Sequence, residues 1–226
     1  MYTFELSVVY IKPYKKVQMN FEILYTFVIA TSALAISPGP DNIYVLMQSI
    51  VNGKKFGLAT VVGLMSGCLV HTTLVAFGVS VIIKQSELLF FIIKLLGALY
   101  LFFLAYKVWR SDGAIQLNGD NVEKKSLGQL FRQGFIMNVL NPKVSIFFLA
   151  FFPGFLFSKE LSNVTQFYIL GFLFILVSFF IFGLIAVMAG YISDYVKENS
   201  KVGVLLKWLQ IIVFIGIGIF ILFSEK

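Results

Sequence analysis

Very little in this chain can carry redox or metal chemistry. Among its 226 residues there is one cysteine, Cys68, and one histidine, His71. A single thiol excludes an intrachain disulfide and a CxxC redox pair. A single imidazole leaves no Cys/His zinc cluster, so neither a metal nor another cofactor is expected. Charge is scarce too: 13% of residues are Asp, Glu, Lys or Arg, against about 25% in soluble domains. Hydrophobic residues make up 59% of the chain, and mean hydropathy is +0.91. The apolar runs are long enough for helices that cross about 30 Å of hydrocarbon. Composition therefore predicts an all-α integral membrane protein. The net charge of +7 fits basic loops on the cytoplasmic face, so the expected partner is the lipid bilayer and no nucleic acid.

Residues 1–18 carry Lys12, Pro13, Lys15 and Lys16 and lack the apolar core of a signal peptide. They read as an N-terminal extension outside the native chain, which would then start at Met19. Residues 19–226 form one transmembrane domain. Six spans are expected: 21–51, broken at 37–40; 56–83; 88–109; 130–157, interrupted at 141–142; 164–192; and 202–223. A polar loop at 109–130 separates the halves, and short polar turns at 52–55, 84–87, 158–163 and 194–201 join the other spans. The many phenylalanines are expected to face lipid, with Trp109 and Trp208 at the interfaces.

Lys54, Lys55, Lys107, Arg110, Lys124, Lys125, Arg132, Lys197, Lys201 and Lys207 fall on the side reached after the first, third and fifth spans. The opposite side holds Lys84, Lys159 and Lys226 besides the lysines of the leader. The first side is therefore expected in the cytoplasm, with both termini outside.

Two interruptions organise the chain. In Ser37-Pro38-Gly39-Pro40-Asp41-Asn42, the prolines remove the N–H groups that would bond the Leu34 and Ile36 carbonyls. They also push Ser37 and Gly39 away from helical angles. One helix ends there and another begins, in the middle of an apolar run. Irregular backbone at that depth is tolerated only where it is buried in protein or lines a wet cavity. The new helix also points free N–H groups and its positive dipole end into that space. Asn138-Val139-Leu140-Asn141-Pro142-Lys143 breaks the fourth span in the same way. Each half thus has three spans, the first one broken. Three is odd, so the second half enters inverted, and matched breaks in inverted halves mark a transport site.

Asp41 is the only acidic residue deep within a span, where a charge costs about 3 kcal/mol unless paired or hydrated. It reads as the handle for a substrate ammonium or a coupling proton, or as a residue capping its own helix start. Lys143 is the matching cation: partner to Asp41, handle for a carboxylate, or a lysine that snorkels to an interface. Asn42, Asn138 and Asn141 offer amide donors and acceptors, for substrate or as caps. Pro38, Gly39, Pro40 and Pro142 shape the backbone around them. His71 follows Gly67 by one turn and is either a proton-coupling relay or bonded to a neighbouring helix. Gly63-Leu64-Met65-Ser66-Gly67 has small residues four apart, suited to close helix packing or to a homo-oligomer.

With these motifs the chain resembles the lysine exporter/threonine–homoserine resistance (LysE/RhtB) family of bacterial amino-acid exporters. The resemblance covers 20–223. It rests on the 37–42 motif, on the second span from Gly53 through Gly63, Gly67 and His71, and on Lys94-Leu95-Leu96-Gly97-Ala98-Leu99-Tyr100-Leu101. Phe131-Arg132-Gln133-Gly134-Phe135 with the 138–143 motif completes it. It implies six transmembrane helices in two inverted three-helix repeats, a site lined by the two broken motifs, and efflux driven by the proton gradient. The leader is extra, and Gln210-Ile211-Ile212 stands where members often carry a glycine. The expected protein is a multi-pass secondary transporter of the bacterial inner membrane. It would export small amino acids or their derivatives by alternating access, and catalyse no reaction. An inorganic-ion or metal permease is the alternative, although a hard cation wants several carboxylates and only Asp41 is placed. A membrane enzyme would need a nucleophile–base pair, and none is visible.

Overall fold

The computed structural model describes residues 18–111, 125–198 and 200–223. Helix α1, Phe21–Ile36, starts at Asn20, whose side chain accepts from the Glu22 and Ile23 N–H groups at 3.0 and 3.3 Å. It ends at Ser37, extended ahead of Pro38. Helix α2, Pro40–Asn52, begins with proline at a position whose N–H no helix needs. The pair bends by 59°. The expected turn at 52–55 contracts to Gly53 alone, at φ 101°, a conformation that costs glycine nothing.

Helix α3, Lys54–Leu74, passes through a π-helical turn, Val75–Val79, into α4, Ser80–Gln85. Helix α5 is Glu87–Arg110. Helix α6, Leu127–Val139, opens with a reciprocal cap between Ser126 and Gln129, so the expected polar loop ends sooner than foreseen. Helix α7, Pro142–Phe151, bends from α6 by 53° and runs into a 3₁₀ turn, Phe152–Phe155. The Gln166 amide closes the turn beyond: it accepts from the Phe157 and Ser158 N–H groups at 2.7 and 2.9 Å and donates to the Ser158 and Leu161 carbonyls. Helix α8 is Asn163–Val187, α9 Ala189–Glu198 and α10 Ser200–Phe223. The charged turn expected at 194–201 is instead helical as far as Glu198. Its residues extend an amphipathic helix that buries Ala189 and Ser193 and leaves Tyr191 and Tyr195 exposed. The leader at 1–17 and the loop at 112–124 lie outside the described residues.

Four spans are continuous, and the two bent pairs complete six; no strand occurs among the described residues. The halves pack reciprocally. Helix α1 lies on α8 as α6 lies on α3, while the second spans meet as α3 on α8 and the third as α5 on α10. This is the pattern of two inverted repeats.

Lipid offers no hydrophobic drive for helices to associate, so close fit has to supply it. Helix α3 supplies it against α6. A Cβ on Gly67 would strike the Asn138 side chain, and one on Gly134 would strike the Thr60 carbonyl. The stripe of small residues is therefore used within the chain. The phenylalanines correct the sequence reading. Phe27, Phe147, Phe148, Phe151, Phe152, Phe155, Phe167 and Phe214 are fully buried, and Phe147–Phe151 and Phe148–Phe152 stack at 4.2 Å between centroids. Five of them lie on α7 and its 3₁₀ turn and pack ring on ring with one another and with Phe27.

Candidate functional site

The two breaks present their residues in register. Gly39, Pro40 and Asp41 start α2 as Asn141, Pro142 and Lys143 start α7. Gly39 contributes no side-chain cap, whereas the Asn141 Oδ1 accepts from the Lys143 N–H at 3.0 Å. The other end of the same amide reaches across the halves: Asn141 Nδ2 donates to Asp41 Oδ2 at 3.1 Å. Asp41 accepts that bond from the other half. Its carboxylate sits in the first turn of α2, where the helix dipole favours a negative charge.

Lys143 and Asp41 line the same cavity, both half-buried. The hydrogen-bonded contact of the carboxylate is Asn141. The Lys143 ammonium lies over the Phe214 ring of α10, 4.9 Å from its centroid. It also sits beside Gly39, where an added Cβ would stand 3.4 Å from Nζ. An ammonium that rests over a ring of a neighbouring helix is not carried to the interface by its stem.

The asparagines divide their work. Asn42 Nδ2 donates to the Ala35 carbonyl at 2.7 Å, the acceptor that Gly39 would serve in an unbroken helix, so it repairs the end of α1. The Asn138 carbonyl accepts from His71 Nε2 at 3.1 Å, and its Nδ2 reaches Cys68 Sγ at 3.5 Å. His71 thus bonds a neighbouring helix, against Phe148, and stands outside the cavity wall behind Asn138.

The cavity measures about 50 Å³, room for about four waters. Gly39, Pro40, Asp41, Asn42, Asn138, Asn141 and Lys143 line it, with Leu34, Leu64, Phe147 and Phe182 among its apolar walls. Pro38 and Pro142 set the bends without entering the wall. Sequence reasoning missed Met65, Cys68, Phe174 and Ser178, which complete it. Ser178 had a signal, a serine within the apolar run of α8, but it is indistinguishable by sequence from the helical serines that face lipid. One carboxylate and one ammonium across a small apolar chamber can hold the two ends of a zwitterion.

Residues 32–225 match the LysE type translocator family. The chain belongs to that family. Over 189 residues, 84% of this chain and 91% of the relative, the translocator is 32% identical to the homoserine/homoserine lactone efflux protein of Salmonella typhimurium (strain LT2). It is 31% identical over the same share to the protein of that name in Salmonella typhi. No solved structure matches it. Membership makes the chain a multi-pass translocator of the inner membrane and no enzyme. The matched region includes both broken helices, so the cavity lies within the part of this translocator that the family shares.

Proposed function

We propose that this translocator exports a small neutral amino acid or amino-acid derivative of the size of homoserine. The observation that supports this reading is the juxtaposition of Asp41 and Lys143 at equivalent helix starts around one cavity. The ammonium of the substrate displaces the Asn141 amide from Asp41. Its carboxylate takes the Lys143 ammonium and the N–H groups of the helix starts. The cavity as it stands is too small for such a solute, so loading has to spread the breaks apart. Alternating access follows: the halves rock about the site and open it to one face at a time. Asp41 carries the coupling proton when no ammonium occupies it, while His71 serves to hold the Asn138 backbone. The names of the relatives favour homoserine and its lactone as first substrates to try. A hard-cation permease suits the site less well, because the cavity offers a single carboxylate.

The test is reconstitution. Vesicles loaded with labelled homoserine should release it faster with the protein than without, and faster again when the outside is acidified. Release that matches protein-free vesicles would overturn the assignment. Release indifferent to the proton gradient would overturn the coupling.

A further inference from the structure

Helical hydroxyls in this chain have a common resting place. Ser32, Ser49, Thr60, Ser66 and Thr72 each donate to the carbonyl one turn back. Ser178, in the middle of α8, does not. It is 2% exposed and its Oγ has no partner. Asn138 is 3% exposed, and its Oδ1 also has none. Among the described residues, other buried oxygens share this state, but these two belong to residues of the cavity wall.

A buried polar atom left unpaired carries a free-energy cost. That cost is recovered when a ligand supplies the missing partner. The surroundings define which ligand. Phe174 and Phe182, one turn to either side of Ser178, line the same wall, so α8 presents one polar atom in an aromatic strip. Asp41 and Lys143 occupy the opposite elements, α2 and α7, and among the described residues the cavity wall holds no second carboxylate.

We propose that Ser178 forms the subsite for the substrate side chain, selecting a short stem that ends in a neutral hydroxyl. The proposal rests on the amino-acid export reading above. A substrate hydroxyl accepts from the Ser178 O–H. Homoserine lactone, whose side-chain oxygen is bonded to its own carboxyl carbon, has no hydroxyl to present and does not use the subsite. A basic side chain would bring a second ammonium against the aromatic strip with no anion to meet it, and is excluded.

Ser178→Ala removes one oxygen that makes no bond within the protein. Initial efflux of homoserine, its lactone and norvaline (a methyl group in place of the hydroxyl) is measured from reconstituted vesicles. The variant should lose about five- to tenfold of homoserine efflux, the scale of one neutral hydrogen bond. It should keep lactone and norvaline efflux, which also certifies its folding. Unchanged homoserine efflux in Ser178→Ala, or an equal fall for homoserine and norvaline, would overturn the subsite and leave the export reading standing. A wild-type protein that moves no α-amino acid would overturn both.

Discussion

Asp41 meets an amide before it meets a cation. The Asn141 side chain uses its oxygen on the start of its own helix and its nitrogen on the carboxylate of the other half. Asp41→Asn keeps the shape and removes the charge. Insertion should persist while initial efflux from vesicles falls by about ten- to a hundredfold, the range of a hydrogen bond to a charged group. Asn141→Ala should damage transport to a similar extent, since α7 loses its cap and Asp41 its partner. If Asp41 and Lys143 act as one site, Asp41→Asn combined with Lys143→Ala should be little worse than either alone; fully multiplicative losses would separate their roles. His71→Gln retains a donor for the Asn138 carbonyl and should preserve both the rate and its pH profile. A flattened profile would instead make His71 a proton carrier.

At the scale of the helices, the association of α3 with α6 depends on missing side chains. Gly67→Val should destabilise the detergent-purified protein by about 1–3 kcal/mol, as overpacking of a tight contact does. Gly183→Ala in α8, where nothing stands within 4 Å of the added Cβ, should be neutral or raise the melting temperature slightly. Thermal unfolding of the two variants side by side checks the contrast. This contact was half legible in the sequence. The spacing of Gly63 and Gly67 announces a close neighbour, but nothing in it says whether the neighbour is α6 or a second copy. The breaks at 37–40 and 141–142 were fully legible, because proline chemistry is local. The phenylalanines were not: a ring that faces lipid and a ring that packs among other rings have the same hydropathy, and only the tertiary packing decides between them. Ser178 was hidden for the same reason, since which face of α8 meets the cavity depends on partners far away in the chain.

For the whole molecule, the six spans and their order came through from the sequence because long apolar runs leave few alternatives. The orientation is carried by lysines and arginines alone, and it predicts that 110–129 lie in the cytoplasm. A cysteine at Asn118, in a Cys68→Ser background that keeps an acceptor for Asn138, should resist impermeant thiol reagents on intact cells and react once the membrane is opened. Rapid labelling on intact cells would reverse the orientation. The smallness of the chamber has a different kind of consequence. A carrier idle in an energised membrane dissipates the gradient across it if a standing water column forms. Here the idle chamber has room for about four waters, its carboxylate is tied to an amide, and its ammonium is pressed on a ring. On the export reading proposed above, cargo spreads the site as it enters, and a cell with nothing to expel would not leak through that route.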